Sequence, residues 1–196
     1  MCWLLALSWL AAWAAPEPAW SEAVTVAEWA FDRAGDLEGW QPNGHLKEVA
    51  VSNGLLTCRA EGSDPILELR PLLDLPASPW HQIELRLKAD RDGTAEFFWS
   101  NTTQGRYGGF SQNKTTRFHV TGDGQWRTYR LLPFWHPEGK IVRLRLDVYD
   151  AATLAVDFIR IGELAMPPRA DQLEFDFTRG TAGWQAVGDV RLQMAE

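Results

Sequence analysis

From His81 to Lys88 the chain alternates without a break, with Ile83, Leu85 and Leu87 on one side and Glu84, Arg86 and Lys88 on the other. A helix would scatter those residues around its axis. A strand sends successive side chains to opposite faces, burying one face and wetting the other. The stretch 141–148 repeats the pattern, with Val142, Leu144, Leu146 and Val148 inward. Similar runs occur at 24–31, 46–51, 55–60, 66–69, 94–100, 116–121, 126–132 and 154–161. Turn chemistry separates them. Asn53-Gly54 accepts the positive φ of a tight hairpin, and Arg91-Asp92-Gly93 and Gly122-Asp123-Gly124 serve similarly. About ten short strands punctuated this way predict an all-β fold, an antiparallel β-sandwich or jelly roll, over residues 24–163.

Beyond the sandwich, Met166-Pro167-Pro168 and its polar neighbours predict a linker over 164–172. Gly39-Trp40 recurs 144 positions later as Gly183-Trp184. At the same shift Phe31-Asp32 matches Phe175-Asp176, Gln41 matches Gln185, and Gly44 matches Gly188. Residues 173–196 therefore read as the truncated start of a second, similar module, and the expected parent is a longer protein with further domains. At the other end, residues 1–15 carry no charged side chain, and the apolar run is shorter than the roughly 20 residues that span a bilayer. Ala12-Trp13-Ala14 is a small-x-small cleavage pattern, followed by Pro16 and Pro18. Residues 1–14 read as a signal peptide, so the expected location is secreted, cell-surface or periplasmic, with no membrane insertion after its removal. The alternative is a buried N-terminal helix. Cys58 would then be the sole cysteine, without a disulfide partner, and it sits in an apolar run as an expected inert thiol.

Composition removes several function classes. The net charge is −7 without a basic cluster, which argues against nucleic acid, since phosphate binding needs clustered Lys and Arg. No nucleophile elbow, zinc-protease motif, phosphate loop or dinucleotide fingerprint occurs. His45, His81, His119 and His136 are dispersed, and nothing marks two of the 26 acidic residues as a catalytic pair. The expectation is no enzyme activity in this chain. Aromatics are the other resource, with eleven tryptophans. A sugar ring offers an apolar face and a polar rim, which suits a flat aromatic with hydrogen-bonding neighbours. The candidates are Trp80, Trp99, Tyr107, Phe110, Trp135 and His136. Trp40 and Trp126 are expected in the core. Trp99 continues the Ala95/Phe97 face and serves either the core or a site. Trp135, between Pro133 and Pro137, needs either packing or a ligand. The polar strand faces hold Glu84, Arg86 and Lys88, then Arg143, Arg145 and Asp147, then Glu96, Phe98 and Ser100 if Trp99 points inward. Were those strands neighbours, Arg86 and Arg145 would present guanidinium groups to a sugar or uronate; otherwise the faces are simply solvated.

The order of motifs resembles a known family. Phe31-Asp32, the run from Gly35 to Trp40, Val51-Ser52-Asn53-Gly54-Leu55 and Gly62-Ser63-Asp64-Pro65 come first. Phe98-Trp99-Ser100, Leu144-Arg145-Leu146-Asp147 and Val156-Asp157-Phe158-Ile159 follow. Together they resemble the galactose-binding-like jelly-roll modules of bacterial secreted glycan-active proteins, including carbohydrate-binding modules and sulfatase-associated domains. The resemblance implies a non-catalytic ancillary module with a polysaccharide or glycan as partner. It also implies a structural Ca²⁺ between first and last strands, where Asp32 and Asp157 fall in matching places. The expected ligand-binding residues are Trp99, Trp135, Tyr107, Arg86, Arg145 and His136. The rival readings are a spacer or protein-interaction sandwich and an unrecognised glycoside hydrolase.

Overall fold

The Asn53-Gly54 hairpin shows how local sequence chemistry builds the fold. Both residues take positive φ, 52° and 73°, which lets β3 (Leu46–Ser52) turn directly into β4 (Leu55–Ala60). The computed structural model describes residues 23–165. The expected signal peptide at 1–14, the second module at 173–196 and all of the linker beyond Ala165 lie outside the described residues.

The other strands are β1 (Val24–Trp29), β2 (Trp40–Pro42), β5 (Ile66–Leu69), β6 (Leu75–Pro76), β7 (His81–Ala89) and β8 (Gly93–Ser100). After them come β9 (Thr115–Val120), β10 (Arg127–Leu131), β11 (Lys140–Ile141), β12 (Arg143–Asp147) and β13 (Thr153–Glu163). They form a six-stranded sheet in the order β10-β7-β13-β4-β3, with β1 also on β13, and a five-stranded sheet in the order β2-β5-β12-β8-β9. A two-stranded ribbon joins β6 and β11. Every pairing is antiparallel. The long β13 pairs with β7 along its length, while β4 takes its first half and β1 its second. A bulge between Val156 and Phe158 makes that hand-over, leaving Asp157 as the extra residue.

The alternation translates into burial as expected. Ile83, Leu85 and Leu87 of β7 and Leu144 and Leu146 of β12 are buried between the two sheets with Leu56, Phe97 and Trp40. Trp40 packs edge-on against Trp29 and Phe97 at 5.4 and 6.4 Å. Cys58 is buried, and burial pushes its thiol up to about 12, so it stays protonated and inert. Two expectations need correction. Val142 is buried but outside the main core cluster, because the 141–148 run breaks into β11 and β12 at that residue. Trp126 is not a core anchor. It sits half-buried just before β10, with Arg86 and Lys88 each 5.0 Å over its ring.

Candidate functional site

Strand alternation leaves the outer face of the five-stranded sheet with a row from each of its four longer strands. β12 contributes Arg143, Arg145 and Asp147; β8 contributes Glu96, Phe98 and Ser100; β5 contributes Ile66 and Glu68; β9 contributes Thr115 and Arg117. Register sets the neighbours. Arg145 lies opposite Glu68 on one side and Phe98 on the other, and Asp147 lies between Ile66 and Glu96. The loop following β8, residues 101–114, walls this face. Between wall and sheet lies a cleft of about 710 Å³, lined among others by Asp64, Phe98, Tyr107, Phe110, Gln112 and Arg145.

The floor is an aromatic layer capped by guanidinium groups. Phe98 and Phe110 are buried on this outer face, outside the main core. Arg145 lies 5.0 Å over Phe98, and Arg143 lies 4.6 Å over Phe110. Both cations are also ion-paired: Arg143 with Glu68, and Arg145 with both oxygens of Asp147. Asp64 stands 3.7 Å from Arg145, and Glu96 pairs with Arg117. Burial pushes the Asp147 carboxyl above the ordinary carboxylate range, and its bonds to Arg145 pull it back.

The wall is held in an unusual backbone shape. Gly105, Tyr107, Gly108 and Gly109 all have positive φ. Gly108 and Gly109 cannot be replaced freely, since a Cβ on the first would overlap the Arg143 guanidinium and one on the second would meet Ser100 Oγ. Arg143 donates to the Gly108 carbonyl at 2.8 Å and so clamps the loop to the sheet. Tyr107, at φ 57°, is a non-glycine residue in a region where strain concentrates at working sites. The residue is 64% exposed, with Arg106 4.7 Å over its ring.

Of the six expected ligand-binding residues, the cleft brings together Tyr107 and Arg145. Trp99 and Trp135 are corrected to core residues, 5% and 0% exposed, because Trp99 shares the inward face of β8 with Phe97. They pack edge to face at 5.8 Å. The Trp135 indole N–H donates to His81 Nδ1 at 3.0 Å. His81 Nε2 lies 3.1 Å from Glu163, which accepts from Ser78 Oγ at 2.6 Å. This chain of contacts gives the buried imidazole and the loop indole their polar partners, and their burial leaves neither ring free for a sugar. His136 is exposed on a short 3-10 turn and does not line the cleft. Arg86 belongs to the six-stranded sheet and pairs with Asp157, so the juxtaposition of Arg86 with Arg145 does not arise. That pairing also bears on the implied calcium. The Asp157 carboxylate is already neutralised by a guanidinium, and the described residues contain no group of three or more His, Cys, Asp or Glu able to hold a metal. Asp157 is thus committed to Arg86, and two carboxylates alone are fewer than the six to eight oxygens that calcium takes. Asp64 and Gln112 were not singled out as site residues from sequence; Asp64 appeared only within the Gly62-Ser63-Asp64-Pro65 motif of the resemblance.

No family model matches the sequence, and no curated protein matches it. Solved structures do. A structure described as CBM4 structure and function superposes with a TM-score of 0.52 at 14% identity, covering 69% of this chain and 97% of that one. The agarase AgWH50C gives a TM-score of 0.53 at 9% identity, over 73% of this chain and 26% of the agarase. The K3 cleaved adhesin domain of Lys-gingipain from Porphyromonas gingivalis gives 0.50 at 13% identity, over 70% and 98%. This chain therefore carries the antiparallel β-sandwich fold shared by a carbohydrate-binding-module structure, a segment of an agarase and an adhesin domain.

Proposed function

We propose that this chain is a non-catalytic glycan-binding module, and that it binds in the cleft between the 101–114 loop and the five-stranded sheet. The observation that carries the reading is Tyr107, an exposed aromatic held in a strained loop over a cleft whose aromatic floor is capped by guanidinium groups. A flat ring can stack on the C–H face of a sugar while Arg145, Asp147, Gln112 and Asp64 meet its hydroxyls. The fold shared with a carbohydrate-binding-module structure and with part of an agarase supports the same reading. The charge-free apolar leader supports a secreted, cell-surface or periplasmic location. The repeat at 144 residues supports a larger parent protein that this module tethers to a polysaccharide. Tandem copies would raise avidity through effective concentration, which offsets weak binding by one open cleft.

The test is isothermal titration of the 196-residue chain with a panel of soluble polysaccharides, with product analysis of each mixture. The expected result is binding to at least one glycan without turnover. Tyr107→Ala should weaken it about tenfold, roughly 1.4 kcal/mol, with the melting temperature kept. Absence of binding across the panel would favour the spacer reading, and released product would favour a hydrolase.

A further inference from the structure

The charges around the cleft cancel in pairs, and that pairing limits what can enter. Arg143 is held by Glu68, Arg145 by Asp147 and Arg117 by Glu96. Asp64 adds another carboxylate beside Arg145. Among the described residues, only Arg106 at this cleft lacks a carboxylate partner, and it lies on the exposed rim over Tyr107. A guanidinium has five N–H donors, so Arg145 keeps donors beyond the two given to Asp147, and the ionised carboxylate keeps lone pairs. The pair thus presents donors and acceptors side by side, with little net charge. A hydroxyl both donates and accepts, so neighbouring hydroxyls of a sugar match both halves. A uronate carboxylate or a sulfate ester only accepts. It would compete with Asp147 for Arg145 and face the mostly buried Glu96, where water screens poorly, with the exposed Asp64 adding a weaker repulsion from the rim.

We infer that the cleft selects uncharged polysaccharides and excludes uronate-bearing or sulfated chains at the Arg145–Asp147 pair. This rests on the glycan-binding reading above and sharpens it to a substrate class. The rim position of Arg106 does not change the outcome, because an exposed charge gives only a weak, salt-sensitive attraction.

The test titrates the full chain with size-matched oligosaccharides from cellulose, xylan and agarose, and from polygalacturonate and dextran sulfate, at low and high salt. Neutral binding should exceed anionic binding at least about tenfold and change little with salt, as expected where discrimination comes from unfavourable contacts. Asp64→Asn on the rim, and Asp147→Asn where it folds, should narrow that gap by improving anionic binding. Anionic chains that bind as tightly as neutral ones, and that lose binding in Tyr107→Ala, would overturn the inference while leaving the cleft as the site. Failure of every glycan to bind would instead remove the underlying reading.

Discussion

The two outer faces of the sandwich use the same residue types for different ends. On the six-stranded sheet, Glu84 pairs with Arg130 and Arg160, Arg160 with Glu28, and Arg86 with Asp157. Several of these side chains are well exposed, Arg130 at 48% and Glu28 at 37%. Such pairs are worth about 0–1 kcal/mol each and form a solvated lattice. On the five-stranded sheet, the Arg143–Glu68 and Arg145–Asp147 pairs keep only 12–18% exposure. What separates the faces is the 101–114 loop and the aromatic pair Phe98 and Phe110 beneath the guanidinium groups. The same arginine-rich strand pattern lines a cleft only where a neighbouring loop walls the sheet face.

The largest effect should come from the layer between the faces. Trp135→Ala removes a fully buried indole and the hydrogen bond to His81, so it should cost about 3–5 kcal/mol in denaturant unfolding. Its effect is on folding; any glycan affinity left in the folded fraction should be unchanged. Next is the wall. Gly108→Ala forces a side chain onto the Arg143 guanidinium at a positive φ. It should reduce glycan affinity about tenfold, comparable with losing Tyr107 itself, at a stability cost of about 1–2 kcal/mol. A fold that stays intact with full affinity would break the link between loop shape and binding.

Acidification probes the interior again. His81 is buried, and burial lowers its pKa, opposed by Glu163. Its Nδ1 accepts from Trp135, which requires the neutral ring. Because the folded pKa lies below the unfolded value near 6.5, the unfolded chain binds the extra proton first. The stabilising contribution is therefore present above about pH 6.5 and lost as pH falls below it, at a slope of at most about 1.4 kcal/mol per pH unit. His81→Gln should flatten that part of a stability–pH curve. The smallest effect belongs to the solvated face. Arg160→Ala should change stability by less than about 1 kcal/mol and leave glycan affinity within error.

Much of the fold was legible because alternation is a local signal. Ile83, Leu85, Leu87, Leu144 and Leu146 point inward as their spacing requires, and Asn53-Gly54 makes the expected hairpin. The short β2, β6 and β11 were not legible, since two or three residues carry no period. The site was legible only in part. Tyr107 was found as a candidate sugar-stacking aromatic, and Arg145 on a polar strand face. Trp99 and Trp135 were misassigned because sequence cannot tell an indole that needs a ligand from one that packs on His81 and its neighbour. Arg86 was misassigned because strand identity is visible locally while sheet membership is set by long-range pairing. Asp64 reaches the cleft from the loop before β5, a placement no local pattern reports.

The central claim is that the cleft face, and not the ion-pair face, takes the glycan. It is tested most directly by backbone-amide NMR of the chain titrated with its tightest-binding oligosaccharide. The account expects the largest shift changes at Tyr107, Gly109, Gln112 and Arg145, with Arg86, Lys88 and Trp126 unmoved. Changes centred on Trp126 and its flanking cations, with Tyr107 silent, would contradict it.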